Sequence, residues 1–260
     1  MHWLRRTSSA LVGWLADRRI PGPLRGPLYG AYCRATGAEA SEAQLEPRAY
    51  PSLGAFFVRR LRAGARPLDP DELTFGSPCD GRVQTQGRID SGRLLQAKGR
   101  DYPVEELLGG PAAFDLDGAW AWTLYLSPRD YHRVHVPTAA RLEDVRWIPG
   151  HRFSVAPTEL ARRPRVLSVN ERAVLTLRSP VFPFHMVMVG ALNVGRIRVV
   201  GVEPGTAPTA PISLARGDEL ARFEMGSTVV LIAPPDALDP VPLDDHAPVR
   251  LNQRLGVLHP

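Results

Sequence analysis

Hydrophobic and polar positions divide this chain into two unlike stretches. Residues 1–66 carry apolar positions at helical spacing, whereas residues 67–260 carry them in short runs of period two broken by turns. At the amino end, Leu4, Leu11, Trp14 and Leu15 fall near one face with arginines around it, which predicts an amphipathic helix ending before Pro21. That face fits a membrane surface and the protein's own core equally well. A Pro/Gly-rich break over residues 21–27 follows, then a helix around residues 32–35. Another helix is predicted over 52–62, with Ser52 as its N-cap. Beyond Pro67-Leu68-Asp69-Pro70 the pattern predicts strands at 82–89, 94–97, 120–127, 141–148, 166–177, 186–194, 196–202 and 228–232. Asp90-Ser91-Gly92 reads as a hairpin turn, 104–108 as a short helix and 203–211 as an exposed loop. The prediction is an α+β chain: a helical region over 1–66, then a mainly β body over 67–260.

Composition narrows the class. With 260 residues, 44% hydrophobic and 23% charged, the chain can bury one substantial core. A formal net charge of +5 favours acidic partners. Tryptophan and leucine interleave with arginine at the amino end, and no zinc finger, RNA-binding aromatic signature or long basic stripe is present, so an anionic lipid surface is the expected partner and nucleic acid is not. No apolar run is long enough to span a bilayer, because 181–194 is interrupted by Pro183, His185 and Gly190. The amino-terminal apolar run is short and lacks a small-residue cleavage site, so it does not read as a signal peptide. Cys33 and Cys79 are the only cysteines, which excludes a disulfide framework and points to a reducing compartment.

The candidate chemistry starts at Gly226-Ser227-Thr228, held between the apolar flanks of Phe223 and Val229-Val230-Leu231-Ile232. Glycine lacks the Cβ that would block approach to its carbonyl and accepts strained backbone angles, so the next hydroxyl can reach the preceding carbonyl carbon. Asp80, in Ser77-Pro78-Cys79-Asp80-Gly81-Arg82-Val83, and His132 and His135, in Ser127-Pro128-Arg129-Asp130-Tyr131-His132-Arg133-Val134-His135, supply the residue types that activate a serine. The His-x-x-His spacing lacks the further Cys or carboxylates of a metal site, and none is expected. Lys98 is the only lysine. It suits a phosphate or carboxylate contact and an exposed surface position equally well.

Taken in order along the chain, these segments resemble phosphatidylserine decarboxylase of the prokaryotic, self-processing, pyruvoyl-dependent type. Phe56-Phe57-Val58-Arg59-Arg60-Leu61-Arg62, Gln96-Ala97-Lys98-Gly99, Pro149-Gly150, Phe153-Ser154-Val155, Asn170-Glu171-Arg172 and Val189-Gly190-Ala191 extend the resemblance over nearly the whole chain. It implies an antiparallel β-rich fold, a homodimer, and a peripheral place on the cytoplasmic side of the cell membrane. It also implies that His135 takes the proton of Ser227 while Asp80 holds the imidazolium. The alkoxide then attacks the Gly226 carbonyl, and the resulting ester eliminates and hydrolyses to two fragments, the second beginning with a pyruvoyl group at position 227. That group is the cofactor, forming a Schiff base with phosphatidylserine. His132 is implied in substrate positioning or in protonating the product. Lys98, His151 and Arg133 are candidate substrate contacts.

Other readings remain: a pyruvoyl decarboxylase of another serine phospholipid or of an amino acid, a serine hydrolase built on Asp80, His135 and Ser227, or an unprocessed lipid-binding protein. The absence of a Gly-x-Ser-x-Gly elbow argues against the hydrolase. Two departures from the family pattern, Cys79 before Asp80 and Ala221 in the approach to the cleavage strand, are expected to be benign. The basic Pro149-Gly150-His151-Arg152-Phe153 segment is expected to bear on headgroup preference.

Overall fold

The computed structural model describes residues 16–97, 100–191, 197–224 and 227–259. The helix expected over 1–19 therefore lies outside the described residues except at its last few positions. The helical elements are α1 (Gly22–Thr36), α2 (Leu53–Phe57), α3 (Val104–Leu108), α4 (Pro157–Arg162) and α5 (Val166–Val169). The strands begin with β1 (Thr74–Gly76), β2 (Gly81–Arg88), β3 (Arg93–Ala97), β4 (Arg100–Pro103), β5 (Trp120–Leu126), β6 (Arg133–His135) and β7 (Ala140–Ile148). They continue with β8 (Arg172–Arg178), β9 (Pro183–Gly190), β10 (Ile197–Val199), β11 (Ile212–Leu214), β12 (Glu219–Phe223) and β13 (Ser227–Ala233). β14 (Leu238–Pro240), β15 (Pro248–Val249) and β16 (Arg254–Leu258) end the chain.

The centre of the molecule is an eight-stranded antiparallel sheet in the order β11-β7-β8-β9-β13-β5-β2-β15. Both faces of its middle are covered. Val229 and Leu231 of β13 join one apolar cluster with Trp122, Leu124, Val134, Leu220 and Phe223, while Val230 and Ile232 join a second with Ala121, Val174, Val187 and Leu107. A strand buried on both faces has no polar side to show, which is why β13 reads as an unbroken apolar run. Each large side chain buried this way contributes about 1.5–3 kcal/mol. The small sheet β10-β12-β6 lies against the first of these faces, through Val134, Leu220 and Phe223.

Several local expectations meet a tertiary override. The proline-rich break at 21–27 is instead the first half of α1: Pro23 sits in the first turn, where no N–H is needed, and Pro27 is carried inside the helix. Tyr29 anchors that helix by packing on Phe56 and donating to the Tyr50 carbonyl. Ser52 does cap α2, accepting from Ala55 N at 3.1 Å, but the helix stops at Phe57 instead of running to 62. The strand expected over 166–177 divides into α5 and β8 around Asn170. Asn170 is fully buried and its amide donates to the carbonyls of Phe153 and Gly190.

Gly81 follows Asp80 where β2 crosses β5 most closely. A Cβ there would sit 2.5 Å from the Tyr125 carbonyl oxygen. Gly81→Ala should therefore part the two strands and displace Asp80. We expect a loss of about 1–3 kcal/mol, read from the urea midpoint, together with slower chain cleavage.

Candidate functional site

Backbone pairing brings the proposed cleavage strand and the histidine segment together. β13 starts at Ser227 between Leu126 of β5 and Gly190 of β9. From Leu126 the chain leaves β5, makes a tight turn closed by Asp130, whose carboxylate accepts from Ser127 N and Oγ at 2.7 and 2.6 Å, and reaches His132. The His132 carbonyl accepts from Phe223 N at 3.0 Å, and β6 then pairs with β12 in the register Arg222↔Arg133, Ala221↔Val134, Glu219↔His135. The 127–132 loop is thus pinned on one side of residue 225 by Phe223 and on the other by Ser227. Met225 and Gly226 themselves, and with them the scissile bond, lie outside the described residues.

Ser227 shares the face of Val229 and Leu231, toward the β6-β12 layer, and is fully buried. Among the described residues its Oγ has no hydrogen-bond partner. A buried hydroxyl left unpaired costs about 1–3 kcal/mol, so the fold holds this group in a destabilised, unquenched state. His132 is in the same condition. Its Nδ1 must donate to the Asp130 carbonyl at 2.9 Å, because a carbonyl only accepts, and that leaves the Nε2 lone pair, buried and without a partner. Phe57 of α2 packs against the ring, centroid to centroid 3.9 Å and tilted by 37°. Burial pushes the His132 pKa down to about 3, with the positive charge of Arg59 acting in the same direction.

His135 sits three residues further along, about 10 Å at strand spacing. Its Nδ1 donates to the Gly217 carbonyl at 2.8 Å, so Nε2 carries the lone pair and accepts the Tyr131 hydroxyl at 3.0 Å. Burial lowers its pKa as well, opposed by the Gly217 hydrogen bond and by the charges of Glu219 and Asp80. Both histidines are therefore neutral bases at neutral pH, with the same nitrogen free of its proton.

Asp80, which the resemblance implies holds the His135 imidazolium, is hydrogen-bonded to other groups here. Asp80 Oδ1 and Oδ2 accept from Arg66 Nε and Nη2 at 2.9 and 2.7 Å, and Oδ1 also accepts Leu251 N at 2.8 Å. A guanidinium fork is a stronger partner for a carboxylate than a neutral imidazole N–H, and it orients the whole group. Glu42 accepts from the same guanidinium at 2.7 and 3.0 Å, and Arg66 lowers the Glu42 pKa. Asp80 still lies beside His135, whose N–H donates to Pro78 O at 2.8 Å. Its charge therefore acts on His135 through space. Arg66 escaped the sequence reading because an ion pair across 14 residues leaves no local periodicity.

The candidate substrate contacts separate. Arg133, expected to meet an anionic headgroup, is spent internally: Nη1 donates to both oxygens of Glu219 at 2.6 Å and Nε to Val58 O at 2.9 Å. His151 is exposed, stacked on Phe153 at 5.0 Å and bridged by its backbone to Asn170. Its backbone leads to the site through Asn170, whose amide holds the carbonyl of Gly190, the cross-strand partner of Ser227, and through Glu171, whose carbonyl accepts from Gly190 N. Lys98 lies outside the described residues.

Buried neutral histidines set a pH dependence. His132 and His185, the latter pushed to about 4 by burial, bind a proton in the unfolded chain near pH 6.5 but in the folded chain only near their lowered values. Between those limits the unfolded state holds more protons, so stability is lost as pH falls below about 6.5, by roughly 1.4 kcal/mol per pH unit for each histidine. The urea midpoint should be level between pH 7 and 8 and fall steadily toward pH 4.5. Equal midpoints at pH 7 and 5 would contradict the buried, neutral state of both rings.

Comparison with known proteins converges on one family. The family model described as phosphatidylserine decarboxylase matches residues 53–257, from the start of α2 into β16. A phosphatidylserine decarboxylase proenzyme of Halorhodospira halophila is 42% identical over 274 aligned positions, covering 99% of this chain and 92% of the relative. Proenzymes of the same name from Anaeromyxobacter and Myxococcus xanthus are 40% and 38% identical, covering 95% and 96% of this chain and 93% of each relative. The match takes in α2, both histidines, Asp80 and the Gly226-Ser227 step alike. This chain belongs to the phosphatidylserine decarboxylase family.

Proposed function

We propose that this protein is a proenzyme that cleaves itself between Gly226 and Ser227 and then decarboxylates phosphatidylserine to phosphatidylethanolamine. The observation that carries the reading is the Ser227 hydroxyl at the head of β13, buried and unpartnered among the described residues, near a segment that bears two neutral histidines, His132 at the end of the loop and His135 on β6. Deprotonated by His135, with Asp80 stabilising the imidazolium through space, Ser227 Oγ attacks the Gly226 carbonyl, and the peptide becomes an ester. β-Elimination would release Gly226 as a free carboxylate and leave a dehydroalanine at 227, and hydrolysis of its imine form by water would expel ammonia and leave a pyruvoyl group. That carbonyl supplies an electron sink for the bond broken when carbon dioxide leaves. His132, with its lone pair held in a dry site, is the group proposed to handle the proton at the product carbon. A hydrolase acting on external esters is disfavoured because Ser227 does not sit in a Gly-x-Ser-x-Gly elbow.

The two fragments stay together after cleavage by the same physics that folds the sheet. β13 heads the second fragment yet is laddered to β5 and β9 of the first, with all seven side chains buried. β15 and β16 add pairings to β2 and β1.

Peripheral membrane association on the cytoplasmic side, as a homodimer, completes the proposal. Among the described residues no helix is long and apolar enough to cross a membrane. Leu24 and Leu28, one helical turn apart on α1, are 57% and 42% exposed, and Arg25 lies between them. Apolar side chains beside cations suit an anionic lipid surface. The test is direct. Purified protein should run as two fragments with a blocked, carbonyl-bearing residue at position 227, and should release carbon dioxide from phosphatidylserine vesicles. Removing residues 1–19 should weaken sedimentation with those vesicles and leave cleavage intact. An uncleaved chain, or cleaved protein inert toward phosphatidylserine, would refute the reading.

A further inference from the structure

Arg59 follows α2 and ends in an unusual electrostatic position. Its residue is 3% exposed, yet among the described residues Nε and Nη1 have no hydrogen-bond partner, and Nη2 has only the Arg129 carbonyl, at 3.1 Å. Among the described residues no carboxylate lies within ion-pair distance of it. The Phe56 ring, 5.2 Å from Cζ, offers a cation–π contact and no more. A guanidinium taken out of water with two of its three nitrogens unsatisfied is strongly unfavourable, and proteins retain such groups where an anion completes them.

The surroundings show where that anion would enter. Arg59 lines a cleft of about 230 Å³ together with three more arginines, Arg66, Arg129 and Arg250, four carboxylates, Glu39, Glu42, Asp80 and Asp130, and Tyr131. The other cations there already have acidic neighbours: Arg66 holds Asp80 and Glu42, Arg129 faces Asp130 at 3.7 Å and Arg250 faces Glu42 at 3.7 Å. Arg59 is the cation of this cleft with no carboxylate within ion-pair distance among the described residues; Glu42 feels its charge only from further away. The cleft adjoins both histidines, because Tyr131 donates to His135 and the Asp130 carbonyl takes the His132 N–H.

We propose that Arg59 binds the phosphodiester of the serine phospholipid headgroup. The inference rests on the decarboxylase reading above and adds its anion subsite. Of the two anions on that headgroup, the carboxylate loses its charge during the reaction. An arginine bound to it would stabilise the ground state and raise the barrier. The phosphodiester keeps its charge throughout, so binding it helps substrate and transition state equally, and its loss appears in KM.

The experiment is carbon dioxide release from phosphatidylserine in mixed micelles by cleaved wild type, Arg59→Gln and Arg59→Lys. Arg59→Gln should raise KM about 10–100-fold, the size of one charge-assisted hydrogen bond, with kcat little changed, and Arg59→Lys should recover part of it. Glycerophosphoethanolamine, which keeps the phosphodiester and lacks the carboxylate, should compete with substrate in wild type and lose that competition in Arg59→Gln. An unchanged KM, or a fall in kcat alone, would overturn the assignment. Competition lost for free serine instead would place the carboxylate at Arg59, and competition lost only for inorganic phosphate would mark an adventitious anion site; either overturns it. If Arg59→Gln does not mature, the Arg59→Lys kinetics and calorimetric binding of glycerophosphoethanolamine decide. That binding is readable even in a protein without decarboxylase activity, so failure of the subsite and failure of the decarboxylase reading remain distinct.

Discussion

Ser227→Ala gives a single uncleaved chain with no decarboxylase activity, and it is at least as stable as the uncleaved wild type. The first half follows from chemistry: without the hydroxyl nothing attacks the Gly226 carbonyl, and no carbonyl group arises at position 227. The second half follows from the fold. Ser227 Oγ is buried and unpaired, so alanine removes a polar atom that the native state holds at a cost, and the change should be neutral or stabilising by about 1 kcal/mol. Intact mass and a urea melt of the purified variant measure both. Cleavage at the usual position in Ser227→Ala would remove the serine from the mechanism. A large loss of stability would mean that its hydroxyl is paired in solution.

His132 and His135 fail differently when replaced. With His135 as the maturation base, His135→Ala accumulates as an intact chain, because the serine proton has no acceptor. With His132 acting in turnover, His132→Ala matures into two fragments but releases carbon dioxide about 10²–10⁴-fold more slowly. Mass spectrometry separates the two defects before any kinetics are run. The geometry gives the opposite result a definite meaning. His132 is the histidine whose backbone pairs beside the cleavage segment and whose Nε2 is buried without a partner, whereas His135 Nε2 is occupied by Tyr131. An uncleaved but folded His132→Ala would therefore transfer the maturation step to His132. A cleaved His135→Ala would confirm that transfer.

In the proposed maturation step Asp80 acts at one remove. Arg66 and Leu251 N hold its carboxylate in place, so its influence on His135 is the field of a fixed charge and not a shared proton. Its neighbours arrive from segments remote in the chain, Leu251 from 171 residues away.

The chain's own pattern was enough for the pieces that depend on local periodicity. The alternation of β5 and β7, the unbroken apolar run of β13, the 104–108 helix, the Ser52 cap and the Asp90-Ser91-Gly92 turn, with positive φ at Ser91 and Gly92, were all legible, because side-chain period and turn chemistry are properties of consecutive residues. The order of Asp80, the two histidines and Gly226-Ser227 likewise carried the family, since reactive side chains on special backbone leave their signature in a few adjacent letters. What depends on distant segments was not written locally. The short strands β6 and β12 exist because they pair with each other over the core, and α1 survives two prolines because Tyr29 and Phe56 anchor it. Arg66 takes Asp80, Glu219 consumes Arg133, and Arg59 is buried with two nitrogens unpartnered among the described residues. Which charge meets which is a property of the folded surface. It was decided only when packing removed water from groups whose partners lie tens of residues apart.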